Sequence, residues 1–94
     1  MRQQSHAVAA GASLILAPGG APWSLSVLPE AGATVTLAVT ATPASAVGAD
    51  GAGAAWHPLG EPLTAETLIV FPGPVTALRV SAAGAGTTVE LISG

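Results

Sequence analysis

The feature that most constrains the fold is a regular alternation of apolar residues with polar or small ones. It is clearest in residues 34–41. In a strand, one face of this segment would carry Val35, Leu37, Val39 and Ala41, and the other face would carry Thr34, Thr36, Ala38 and Thr40. A period of two is the signature of a half-buried β-strand, and Thr and Val favour strands. The segment therefore predicts a strand.

The same alternation recurs between turns rich in Gly and Pro. We expect Ser13–Ala17 and Trp23–Leu28 to form a hairpin across Pro18-Gly19-Gly20, with Trp23, Leu25 and Val27 facing inward. Residues 64–71, 75–82 and 87–92 predict further strands, the last two paired across the turn at 83–86.

Residues 1–8 are interpreted as an arm, and the Ala- and Gly-rich residues 42–55 as a long flexible loop crossed by a strand around 44–47. Six or seven short strands separated by turns predict one antiparallel β-sandwich domain over residues 1–94.

Composition indicates how so small a domain is stabilised. The chain has 94 residues, no Cys and only 7% charged residues, so disulfides and thiolate metal sites are excluded. Domains of this size commonly need disulfides, a metal or association. Association is the remaining route, so the sequence predicts a homo-oligomer.

Charge and hydropathy patterning argue against two partner classes. With two Arg, no Lys and a net charge of −3, the chain lacks a basic patch for nucleic acid. The longest apolar stretch, residues 14–28, is interrupted by Pro and Gly, so no membrane span is expected. Polar residues follow Arg2 where a secretory signal would be apolar, so we expect synthesis and assembly in the cytosol.

Residues able to carry chemistry are sparse. Glu61 and Glu66 are close enough in sequence to form an acid–base pair, but solvated loop carboxylates are the simpler interpretation. Ser45, Asp50 and His57 lack a nucleophile motif, and the Gly-rich residues 48–53 lack the Lys of a phosphate-binding loop. His6 and His57 are far apart in sequence. We therefore predict no catalytic, cofactor or metal site, and no enzyme.

Two features predict contact residues instead. Trp56-His57-Pro58 opens a stiff, Pro-rich segment that is either a core plug or a contact surface, and Trp23 poses the same alternative. Arg79, amid apolar residues, needs a partner, and Glu90 on the next predicted strand is the expected one. That pair is either an ordinary surface pair or a bridge between subunits.

The C-terminal region carries a family resemblance. Gly73-Pro74-Val75-Thr76-Ala77-Leu78-Arg79-Val80, the Gly-rich turn and the strand with Thr88-Val89-Glu90 follow the Trp56 and Gly60–Phe71 stretch. In this region the chain resembles small β-rich structural proteins encoded among the head and tail genes of tailed bacteriophages.

Such proteins sit on capsids as decoration or cement, often as trimers, or belong to the tail. The resemblance thus implies a virion structural protein that contacts itself, the major capsid protein or other virion proteins. The alternative is a receptor- or carbohydrate-binding module of a tail or fibre, with Trp23 or Trp56 as a stacking platform. The resemblance supplies no functional residues.

Overall fold

The computed structural model describes residues 2–19, 21–48 and 51–93, which form eight strands and one four-residue helix. In chain order the elements are β1 (Arg2–Val8), β2 (Ser13–Leu16), β3 (Trp23–Pro29), β4 (Thr34–Thr40), α1 (Ala44–Val47), β5 (His57–Pro58), β6 (Thr67–Phe71), β7 (Ala77–Ala83) and β8 (Thr87–Ser93). None of the helical residues described belongs to a segment long and apolar enough to cross a membrane.

The strands form two four-stranded antiparallel sheets packed as a sandwich. Sheet A has the order β1-β8-β3-β6 and sheet B the order β2-β7-β4-β5. The predicted fold class is confirmed. The strand number exceeds the expected six or seven because β1 and the two-residue β5 also pair.

The core lies between the sheets and follows the alternation of the sequence. Trp23, Leu25 and Val27 on β3 are buried, as predicted, and pack in one cluster with apolar residues of both sheets. The Trp23 and Phe71 rings lie 5.1 Å apart. Trp23 Nε1 and Ser93 Oγ, on register neighbours, are buried without a hydrogen-bond partner, which costs about 1–3 kcal/mol for each group.

The predicted hairpins are wrong. β2 pairs with β7 in sheet B, whereas β3 pairs with β8 and β6 in sheet A. β7 and β8 likewise lie in different sheets. Alternation determines which face of a strand is buried but carries no information on its neighbour, and a short connection can cross between sheets about 10 Å apart.

Two irregular segments of the prediction also differ. Residues 2–8 form β1, paired along its whole length with β8, and not an arm. Residues 44–47 are helical, not a strand. Around this helix the Gly53 N–H donates to the Val47 carbonyl at 3.1 Å, and the Ala55 N–H donates to Thr42 Oγ1 at 2.9 Å. Residues 49 and 50, also part of the predicted loop, lie outside the described residues.

Candidate interaction surface

Trp23 is not a contact residue. Its side chain is 1% exposed and forms part of the core cluster between the sheets. Because Trp23 alternates in register with buried Leu25 and Val27, the same pattern that predicts the strand also places this ring inside. The core interpretation of Trp23 therefore holds, and a role as a stacking platform does not.

Arg79 finds its partner in Trp56. The Cζ atom of Arg79 lies 4.8 Å from the centroid of the half-buried Trp56 ring, a cation–π contact. The Trp56 indole N–H donates to the Gly51 carbonyl at 2.9 Å, which fixes the ring in place. The guanidinium is thus held by an aromatic face on the outer side of sheet B.

The expected Arg79–Glu90 pair does not form within one chain because the two residues lie in different sheets, and the alternative of a bridge between subunits stays a prediction. Arg79 stands opposite Ile15 and Ala38 in sheet B. Glu90 stands opposite Ser5 and Ser26 in sheet A and is exposed. The two side chains project from opposite faces of the sandwich.

The outer face of sheet B is partly covered by the chain itself. Ala38 and Thr40 alternate with core residues and so point away from the core, yet they are only 7% and 1% exposed. Thr40 Oγ1 donates to Thr42 Oγ1 at 3.0 Å and accepts the Thr42 N–H at 3.1 Å. Residues following β4, together with Trp56, therefore cover the part of this face around Ala38 and Thr40, while Thr36 stays exposed. His57, next to Trp56, is exposed on β5.

The outer face of sheet A is open. We use the name sheet A face for the outward side chains of its four strands: Gln3, Ser5 and Ala7 of β1, Thr88, Glu90 and Ile92 of β8, Ser24, Ser26 and Leu28 of β3, and Leu68 and Val70 of β6. Among the described residues the large apolar side chains with high exposure are Leu68 at 68%, Val70 at 65% and Ile92 at 42%. All three lie on this face.

A shallow groove runs along the middle of the sheet A face. Its floor is low because Ser24 and Ser26 on β3 stand between larger side chains, Ile92 and Glu90 on β8 and Val70 and Leu68 on β6. The concavity is lined by Gln3, Ser5 and Glu90 as well as Ser24, Ser26, Leu68 and Ile92, and has a volume of about 420 Å³. Its lining residues come from all four strands, so it spans three strand spacings, about 14 Å.

The side chains of the groove are suited to binding a partner by hydrogen bonds and apolar contacts. Among its described lining residues Glu90 is the one ionisable group, so no acid–base pair converges there. In the part of the chain described, no three His, Asp or Glu side chains are placed to hold a metal ion. The serine hydroxyls and the Gln3 amide can hydrogen-bond a partner, and the lining residues Leu68 and Ile92, with Val70 beside them on the sheet, can be buried against it.

Sequence reasoning singled out Glu90 on this face but missed the apolar residues around it. The available signal was the run Thr67–Phe71, which is apolar on both faces of one strand, and Leu91-Ile92 at the end of another. A strand of a sandwich needs one buried face, so a second apolar face indicates a surface that a partner covers.

No protein-family model, curated protein or solved structure matches this chain.

Proposed function

We propose that this protein is a non-enzymatic structural module that is present in many copies in a larger assembly and docks through the sheet A face. The supporting observation is the contrast between the two outer faces. Sheet B buries its outward Ala38 and Thr40 under the protein's own chain, whereas sheet A leaves Leu68, Val70 and Ile92 open. Apolar side chains gathered on one face of a small domain are typical of a contact surface.

The size of the sheet A face fits one contact among several. Four strands of about seven residues cover an area on the order of 450 Å², against about 800 Å² per partner in a standard stable interface. Burying the exposed parts of Leu68, Val70 and Ile92 contributes about 1 kcal/mol each. A single contact of this kind is weak, but many copies bound side by side gain strength from multivalency.

The assembly we propose is the virion of a tailed bacteriophage, built in the host cytoplasm. The resemblance of residues 56–92 to small head and tail structural proteins supports it, as does a near-neutral chain without disulfides. In this role the protein decorates or cements the capsid, or joins virion parts, by contacts with its own copies and with capsid or other virion proteins.

Carbohydrate binding is less well supported. A glycan platform needs an open aromatic face, but Trp23 is buried and Trp56 carries Arg79 over its ring. Among the described residues of the sheet A face there is no aromatic side chain. A glycan array tests this alternative. Binding of a glycan by the wild type that is lost in Trp56→Ala would support it.

Light scattering of the purified protein over a range of concentrations tests the proposal. We expect wild-type protein to associate as its concentration rises, and Leu68→Lys to remain monomeric because a charge then sits in the apolar contact. Thr36→Lys is the matched control, since Thr36 is exposed on the outer side of sheet B. A folded wild type that stays monomeric throughout, and behaves like Leu68→Lys, would refute the proposal.

A further inference from the structure

The four edge strands of the sandwich differ in how well they are protected against pairing with another strand. In sheet B the edges are β2, with four residues, and β5, with two, one of them Pro58. Short strands and Pro are common means of blocking an edge. In sheet A, β1 is longer but presents the polar Gln3 and Ser5.

The fourth edge, β6, has five residues and lacks both the Pro of β5 and the polar outward side chains of β1. Thr67-Leu68-Ile69-Val70-Phe71 contains no charge, no Pro and no Gly, and β3 is its one strand partner among the described residues. Within the described part of the chain, the outer backbone N–H and C=O groups of this segment make no backbone hydrogen bond. Such a segment has a high tendency to pair with a further strand, since these groups can form a ladder. An edge of this kind is expected to be occupied in the functional assembly.

We infer that β6 of one copy pairs antiparallel with β6 of a second copy about a twofold axis at Ile69. The inference rests on the proposed function and specifies its first contact. In this register Leu68 lies opposite Val70 of the second copy, and Val70 opposite Leu68. Both are highly exposed in the single chain and lie on the same face, so the two cross-strand pairs bury apolar surface.

Charge placement favours a second copy as the occupant. The nearest carboxylate before β6 is Glu66, and the proposed register sets it opposite Pro72 of the second copy. The two Glu66 side chains are then about 20 Å apart along the ladder, beyond a Debye length at physiological salt. Identical strands therefore meet without repulsion, and the contact is self-complementary, as a twofold interface requires.

The pairing also enlarges the docking surface. Two copies of sheet A become one eight-stranded sheet, and Leu68 and Val70 of both copies meet at its centre. The joined sheet A faces cover on the order of 900 Å², which reaches the area of a standard contact per partner. Such a pair is compatible with trimers, because it can link copies of neighbouring trimers.

Cysteine cross-linking tests the register, and the wild-type chain provides a background without Cys. Leu68→Cys and Val70→Cys are purified separately, then oxidised alone and as an equal mixture. Directly opposed residues have Cα atoms about 4.5–5.5 Å apart, within disulfide range, whereas diagonal ones are about 7–8 Å apart, outside it. We expect a covalent dimer of the two different variants in the mixture, and no covalent dimer when either variant is oxidised alone.

The control is Thr36→Cys, exposed on the other sheet, which measures cross-linking by random collision. Cross-linking of Leu68→Cys with itself, or a yield no greater than that of Thr36→Cys, overturns the β6 pairing. If wild-type protein still associates in that case, docking through the sheet A face stands without it. If wild-type protein does not associate at all, the proposed function falls as well.

Discussion

At the scale of a single residue, Gly51 helps to fix the Trp56–Arg79 contact, because its carbonyl accepts the Trp56 indole N–H. Its φ of +74° is strained for other residues, and a Cβ there would lie 2.9 Å from Trp56 Cζ2 and 3.1 Å from Ile15 Cδ1. We therefore expect Gly51→Ala to lower the free energy of unfolding by about 2–4 kcal/mol, part from backbone strain and part from overpacking.

Gly11→Ala is the matched control for that prediction. Gly11 has a φ of +77° but no atom within 4 Å of the added Cβ, so its loss should be about 1–2 kcal/mol from strain alone. Urea unfolding of both variants measures the difference. Equal losses would mean that the indole does not press on Gly51.

Single residues are predictable from the sequence when their environment is set by their own strand. Alternation places Trp23, Leu25 and Val27 inward, and they are buried. It also places Ala38 and Thr40 outward, which is correct, but gives no sign that they are buried under another segment. Arg79 needs a partner by its chemistry alone, yet identifying that partner as Trp56 requires knowing which segment covers sheet B.

At the scale of the element, the helix α1 is too short to be stable by itself and depends on its packing against the sandwich. It spans four residues, has no side-chain cap, and buries Val47 to 5% exposure. We expect Val47→Ala to loosen this segment by about 1 kcal/mol while the sandwich stays folded. Hydrogen exchange of the Gly53 and Ala55 amides should become about fivefold faster, with the amides of β3 and β8 unchanged.

Ser45→Ala serves as the control because Ser45 is exposed on the same helix. If Val47→Ala left the Gly53 and Ala55 amides as slow as in the wild type, these hydrogen bonds would open only with the whole domain. The docking of α1 would then contribute nothing of its own to their protection.

Most strands are predictable from the sequence, but their partners are not. Residues 34–40 and 23–28 form strands close to the expected bounds, because alternation is a local signal. The assignment of β2 and β3 to different sheets depends on contacts far away in the chain. The sequence does not predict a strand over residues 2–8 because their polar residues resemble a solvated arm, whereas β8 supplies the ladder that orders them.

At the scale of the whole molecule, the scaling of accessible surface with mass predicts about 4,900 Å² for a folded monomer of this size. The accessible surface of the chain is 4965 Å². The single chain is therefore as compact as an ordinary monomer of 9.0 kDa. Any need for partners lies in where the apolar residues are exposed and not in how much surface the chain exposes.

Since the proposed contacts are apolar, association should respond to salt in a characteristic way. We expect the oligomer fraction in sedimentation to change little between about 0.05 M and about 1 M NaCl, because screening acts on charges. Ammonium sulfate should increase it, since excluded salts strengthen apolar burial. Dissociation by NaCl would instead indicate that ion pairs hold the copies together.

The sandwich class is predictable from many short alternating strands, and the structure confirms it. The open face is indicated only by the apolar residues on both faces of Thr67–Phe71 and by Leu91-Ile92, because the exposed Leu68 and Ile92 otherwise differ from core residues only in what covers them. By its place in the alternation, Ala38 of sheet B could equally lie on an open face. It is buried only because later residues of the chain pack over it.

The position of β8 has a consequence for the order of folding. β8 is the last of the described strands, yet it lies between β1 and β3 and is the element that connects them. While the ribosome is still making residues 87–93, β1 has no neighbour and β3 has only β6. Sheet A therefore closes after translation has passed this point, and until then its unpaired strands are open to the wrong partners.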